Sequence, residues 1–410
     1  MAPHPDLQFR PAVDADWPEI FAADARAFGI DAPRDDLVRA NEKARIANDD
    51  VVVARDTALP GEPLVGQAMY YRLTMSVPGG RVAFPGLTWV SVAATHRRRG
   101  VLRELLTRLR AKWTDEHHPI AALWASEGTI YERFGFGPAM FTQDIRIESR
   151  QDLRIPAPKR PQVRYATVAD FAELAPDIYD RWADVHPGVM LRDQLWWEDY
   201  LLDDRPAARP FTTQDRQYLL HPDGYATYHL DSTSPGLEAA RIEEVVAVTD
   251  EAHTELWRIL ASLDLVSTTT GTLAVGDPLR FKLVDLRGVK VVDEYDTLWV
   301  AVLDVAGALT ARTYASDVDV TLVVDDPIGT AGGSYRFRIT GGAATVTEGG
   351  DGTDGEVSCD IAALGSLYFG GVDARSLAAA SRVRAGSPEL LAAFADVWRT
   401  SAHPATGIDF

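Results

Sequence analysis

Residues 87–113 combine a short apolar strand, a turn of three consecutive arginines and one glycine, and a long amphipathic helix. No other stretch limits the possible folds so tightly. The strand Gly86-Leu87-Thr88-Trp89-Val90-Ser91-Val92 runs through Ala93-Ala94-Thr95-His96 into Arg97-Arg98-Arg99-Gly100. Leu102, Leu105, Leu106, Leu109 and Trp113 then recur at helical spacing. A glycine at such a turn lets backbone approach a ligand closely, and the first N–H groups of the helix have no intrahelical acceptor. With the helix dipole they make a pyrophosphate site, to which arginines add charge-assisted contacts. The stretch is neither a G-x-x-x-x-G-K-[ST] loop nor a G-x-G-x-x-G turn. A solvated helix start would use the same residue types without binding anything.

Three arginines also suit a nucleic-acid patch, and here composition decides. Against 41 Lys+Arg stand 60 Asp+Glu, a formal charge of -19. That surface repels phosphate backbones and attracts cations, although acidity can also serve solubility alone. The expected partner is a cationic small-molecule amine or a lysine-containing protein, not nucleic acid. The single cysteine, Cys359, allows neither an intrachain disulfide nor a cysteine-based metal cluster, and no metal is expected. No run of 18 apolar residues occurs, and an opening rich in Asp6, Asp14, Asp16, Glu19 and Asp24 is unlike a signal peptide. The chain reads as cytoplasmic, without a membrane span.

A length of 410 residues favours two or three domains. Residues 1–150 read as one α/β unit: a helix from Asp14 to Phe28, strands Val51–Ala54 and Leu64–Leu73, the segment above, and a strand Ala121–Ala125. Pro156, Pro158 and Pro161 mark a linker. Residues 151–300 repeat the order of elements, with strands Tyr225–Leu230 and Ile242–Val248 leading to a helix Glu251–Leu263. No Arg-rich or Gly-rich turn separates Thr249 from Glu251, so this copy lacks a coenzyme loop. Residues 301–410 change character: strands Val318–Val324 and Tyr335–Thr340, a Gly-rich loop, helices Ala374–Ala380 and Pro388–Arg399, and a tail ending at Phe410. The fold class is mixed, α+β.

Arg97-Arg98-Arg99-Gly100 resembles the start of the R-x-x-G-x-G/A coenzyme A loop of GNAT acetyltransferases, with Leu102 in place of the small residue. Two longer stretches, Val90–Arg103 and Ala125–Gly137, resemble the actinobacterial Eis (enhanced intracellular survival) family. So do Leu220–Ala226, Leu364–Tyr368 and the terminal Phe410, so the likeness spans the chain. It implies two tandem GNAT-like domains followed by a sterol-carrier-like domain, a homohexamer, and acetyl-CoA as cosubstrate.

Carried over by position, the resemblance assigns Val90, Ser91 and Val92 to the pantetheine arm. Arg97, Arg98, Arg99, Gly100, Val101, Leu102 and Arg103 fall to the pyrophosphate, with Ser126 and Glu127 beside the coenzyme. Tyr131 becomes the general acid and the α-carboxylate of Phe410 the general base. Apart from the resemblance, Trp17, Phe28 and Trp89 are candidate walls of an amine pocket; Asp409 is a candidate for binding a second ammonium group.

The residue types suit acetyl transfer. A phenol can protonate a leaving thiolate, and the Val92 N–H can face the thioester oxygen. Tyr131 can equally pack beside Phe134 and Phe136, and Trp17, Phe28 and Trp89 can equally be core. His96 reads as a surface or phosphate-side residue rather than a base, and Trp196-Trp197 as packing in the second domain. The expected activity is N-acetylation of cationic amines by direct transfer in a ternary complex. The amines are aminoglycosides at several positions, hence antibiotic resistance, and also polyamines or lysine side chains. The alternative is a lipid-binding or scaffold protein with a vestigial coenzyme site.

Overall fold

A computed structural model of the chain describes residues 5–29, 36–148, 150–202, 216–234, 237–329 and 331–410. Among them three sheets carry the architecture. The first runs in the order Leu7–Pro11, Val51–Asp56, Leu64–Val77, Gly80–Val92, Ile120–Trp124, Leu298–Val302, Phe136–Pro138. It is buried on both faces, which explains its apolar runs. Met69, Tyr71 and Leu73 join Val51, Val53 and Phe84 on one face. Ala68 and Tyr70, one residue out of phase, meet Leu105, Leu109 and Trp113 of helix Val101–Asp115 on the other.

The second sheet runs in the order Val289–Asp296, Phe141–Glu148, Val266–Ala274, Leu237–Ala247, Gly224–Ser234, Gln217–His221, Arg164–Tyr165. Two strands are therefore exchanged. Phe141–Glu148 leaves the first 150 residues to pair with Val266–Ala274 and Val289–Asp296. Leu298–Val302 comes back to lie between Ile120–Trp124 and Phe136–Pro138. The all-apolar Leu298–Val302 suits the doubly buried first sheet and the more polar Phe141–Glu148 the second, but chain order alone does not announce the exchange.

The third sheet, Val318–Asp325 with Gly333–Thr340, Ala343–Glu348, Glu356–Asp360 and Val383–Ala385, belongs to the C-terminal domain. Cys359 is buried there, its thiol pushed up to about 12 by burial, far from a nucleophile's range. This domain docks on the first through helix Ile361–Leu367. A Cβ on Gly137 would strike the carbonyl oxygen of Ala362, and one on Gly365 would strike that of Val300. Two stretches that look like separate motifs in the sequence are thus opposite sides of one helix–strand contact. Gly365→Ala should cost about 1–3 kcal/mol through overpacking. Denaturant unfolding should show this loss, and coenzyme affinity should stay unchanged.

The last ten residues form no regular element. They cross the second domain, where Ala405 N–H donates to Pro187 O (3.0 Å) and His186 Nδ1 bonds His403 O (3.0 Å). They then return to the first sheet. There the Phe410 ring lies 6.1 Å from Phe84 and 6.5 Å from Tyr71, centroid to centroid. It fits because position 86 is glycine: a Cβ there would come within 2.6 Å of the ring.

Candidate active site

Strands Gly80–Val92 and Ile120–Trp124 run parallel and pair only at Gly86–Ala122 and Leu87–Leu123. Beyond Leu87 they part. On its other side the first strand stays paired as far as Val92, with a bulge opposite Ala68 where Trp89 takes the left-handed φ of 49°. The Ala93 N–H donates to Val65 O (2.9 Å). Peptide groups alternate sides along a strand, so Val92, one residue earlier, turns its N–H toward the opening. The split thus exposes an unpaired strand edge at Val90–Val92.

The arginine turn closes one end of this opening. Arg98 and Gly100 both adopt left-handed backbone (φ 63° and 83°), and Gly100 caps the helix without a side chain. The N–H groups of Val101, Leu102 and Arg103 are left for a ligand. Among the described residues, no ion pair holds Arg97, Arg98 or Arg103, and Arg97, Arg98 and Arg103 are exposed. Three uncommitted guanidinium groups at a helix start are free to take an anionic ligand.

Arg99 departs from the expected role. It turns inward to Asp56 (3.4 Å), which also accepts from His96 Nε2 (2.9 Å), and it does not line the cleft. His96 is buried, not a surface group; with Arg99 it braces the turn against strand Val51–Asp56. The His96 hydrogen bond, with help from Arg99, holds the Asp56 carboxyl below its ordinary range.

All of this faces one cleft of about 1310 Å³, larger than most small-ligand pockets. Val90, Ser91, Val92, Arg97, Arg98, Gly100, Val101, Leu102, Arg103, Ser126, Glu127 and Tyr131 line it together, with Phe28 at the rim. Tyr131 is buried, 6.2 Å from the Phe136 ring, so it packs and also faces the cavity. Burial raises its phenol pKa; a hydrogen bond with Ser126 works against that rise and the nearby Glu127 charge adds to it.

Other expected site residues fall elsewhere. Trp17 is core, 3% exposed, with its indole N–H on Asn48 Oδ1 (2.8 Å), and it does not line this cleft. Trp89 is half-buried with its ring 5.5 Å from Phe21, off the cleft lining. Phe410 lies on the sheet beside Gly86, one residue before the last paired position at Leu87, and Asp409 is exposed, close enough to Tyr295 to add, with Asp144 and Asp293, to the rise that burial gives its phenol pKa. One residue that sequence reasoning assigned to the second domain reaches the first: Trp196 packs 5.5 Å from Tyr71, under Arg45 at 4.3 Å, whereas Trp197 stays in the second core.

Comparison with known proteins agrees with this geometry. Residues 8–139 and 188–327 each match an acetyltransferase (GNAT) domain family, and residues 305–407 match a sterol carrier protein domain. The N-acetyltransferase Eis of Mycobacterium tuberculosis is 37% identical over 92% of both chains. The chain belongs to the Eis family of N-acetyltransferases. An uncharacterized N-acetyltransferase of Streptomyces coelicolor is 34% identical over 90% of this chain and 91% of its own. The crystal structure of Eis1 from Mycobacterium abscessus superposes with a TM-score of 0.83 at 29% identity, covering 98% of this chain and 100% of the other. A GNAT structure from Anabaena variabilis, 18% identical and covering 98% of this chain and 99% of its own, shares the fold at a TM-score of 0.81.

GNAT enzymes take their acetyl group from acetyl-CoA, and the cleft fits that ligand on its own chemistry. Free strand N–H and C=O groups suit the amides of pantetheine. Uncapped helix N–H groups and three unpaired arginines suit the pyrophosphate. Replacing Arg97 and Arg98 together by alanine should weaken coenzyme A binding about 10–100-fold. The loss should shrink at high salt, measured by titration calorimetry.

Proposed function

We propose that this chain N-acetylates cationic amines, aminoglycosides first among them and polyamines or lysine side chains as well, by direct transfer within a ternary complex. The observation that carries this reading is the convergence on one cleft of the split strand, the uncommitted arginines and Tyr131. The anchored chain terminus lies at the root of the split.

Each group has a task. Arg97, Arg98, Arg103 and the helix N–H groups hold the pyrophosphate, and Val90–Val92 align the pantetheine arm as an added strand. The Val92 N–H donates to the thioester oxygen as negative charge grows there. Tyr131, kept protonated by its raised pKa, gives its proton to the departing sulfur. An alkylammonium has a pKa of about 10.4 and must lose a proton first. The Phe410 carboxylate accepts it. A free α-carboxylate is a weak base at about 3.3–3.7, so its contribution depends on placement; Tyr71 and Phe84 stand beside the Phe410 ring and fix the residue that carries it.

Acidity supports a cationic acceptor. Asp144 and Asp293 face each other across neighbouring strands, and Asp409 shares their field at Tyr295. Like charges so placed are unfavourable and are relieved by a cation. A thiol-release assay with acetyl-CoA should show turnover with an aminoglycoside such as kanamycin; silence across aminoglycosides, polyamines and lysine peptides would contradict the reading. The uncommitted arginines argue against a vestigial, scaffold-only site.

Assembly as a hexamer in the cytoplasm completes the proposal. The second domain leaves Phe281 73%, Val284 55% and Val292 54% exposed, and Val289–Asp296 is an edge strand of its sheet. Burying these side chains and pairing that edge strand would favour a subunit contact. Light scattering should return the mass of six chains, and a monomer would refute it.

A further inference from the structure

We propose that Arg192 is a positioning residue that sets the chain terminus in the active site, and that the second domain serves as its mount. The inference rests on the reading of the Phe410 carboxylate as the group that prepares the amine.

The segment before Arg192 is stitched to the first sheet. Gly188 N–H donates to Ser76 O (2.8 Å), Ser76 N–H to Val189 O (2.9 Å) and Leu191 N–H to Thr74 O (2.9 Å). Arg192 follows at once, its side chain 3% exposed, and pairs with Glu244 of the second sheet at 2.6 Å. Its guanidinium lies over Tyr179 (4.3 Å) and Trp197 (5.0 Å). The Tyr225 hydroxyl donates to the same Glu244 (2.8 Å), and the Tyr179 hydroxyl to Met190 O (2.7 Å). The Nη2 that serves Glu244 Oε1 also donates to the carbonyl of Gly407. A Cβ at position 407 would collide with the Tyr179 hydroxyl, so the tail can lie this close only as glycine.

This anchor matters because of where it falls. Only Ile408 and Asp409 separate Gly407 from Phe410, a reach of at most about 10 Å. The tail has no helix or sheet of its own, and ordering each residue costs about 1–2 kcal/mol. A catalytic group displaced by about 1 Å loses on the order of 100-fold in rate. The Phe410 ring beside Gly86 fixes one end of the last four residues, and Arg192 fixes the other. Lysine cannot substitute, because one ammonium cannot serve the carboxylate, the carbonyl and two ring faces in that geometry. A second GNAT-like domain without a phosphate cradle thus acquires a role: it holds Arg192, Glu244, Tyr179 and Trp197 as a socket for the tail.

Two variants test this, Arg192→Lys and Gly407→Ala; the second leaves the buried ion pair intact should the first fail to fold. Both should lower kcat about 10–100-fold. Coenzyme A affinity should change little in both, the thermal midpoint should change little in Gly407→Ala, and carboxypeptidase should release Phe410 faster. A purely structural role would lower the midpoint and leave kcat per folded molecule intact, and that result would overturn the proposal. A Phe410 carboxamide separates the two readings. If it is inactive while both variants keep full kcat, the terminal base stands and the Arg192 anchor falls. If it is fully active, both fall.

Discussion

Tyr131→Phe should lower kcat by about 10²–10⁴-fold, the range for loss of a positioned general acid. The ring stays, so its contact with Phe136 and the buried volume around it are preserved, and only the hydroxyl and its Ser126 partner are lost. Coenzyme A affinity should change little. A variant that instead unfolds would show that the tyrosine's weight is in packing. The pH profile adds a second check. The phenol must be protonated to act, and burial raises its pKa above the ordinary value of about 10. Activity should therefore rise with pH as the amine loses its proton, with no falling limb from Tyr131 below about pH 10. A limb near neutrality that disappears in the phenylalanine variant would contradict this account.

Extending the chain beyond Phe410 should be as damaging. A tag of a few polar residues moves the carboxylate off the ring that Gly86, Phe84 and Tyr71 hold, and replaces it by a neutral amide. The expected loss in kcat/KM is at least about 100-fold, again the scale of general base catalysis. The folded first domain should still bind coenzyme A, because none of the cleft lining comes from the tail. An extended protein with full kcat/KM would remove the terminus from the mechanism. The same logic predicts that residues 1–150 alone are inactive: their sheet also lacks Leu298–Val302, which joins Ile120–Trp124 to Phe136–Pro138.

How far the sequence showed all this depends on the range of the interaction concerned. The strand, turn and helix of residues 86–115 were legible because their signals are local: apolar run, glycine, helical spacing. That Arg99 points away while Arg97 and Arg98 face the cleft was not. Three identical neighbours carry no mark of which way a left-handed turn at Arg98 sends each side chain. Trp17 was ambiguous for another reason, since a tryptophan on an amphipathic helix suits a core and a pocket wall equally until Asn48 claims its N–H. The strand exchange, the Gly137–Gly365 contact and the Arg192–Gly407 contact all join residues more than 100 positions apart. The base role proposed for Phe410 comes from resemblance, not from any pattern in the tail.

The central claim is that the first domain presents the thioester while the last residue prepares the amine. The most direct measurement is kcat/KM for an aminoglycoside with semisynthetic protein ending in Phe410 carboxamide. That change removes one charge and leaves the ring, the tail and the cleft in place. The account predicts unchanged coenzyme binding with a loss of at least about 100-fold in kcat/KM. Turnover equal to that of the natural carboxylate would contradict it.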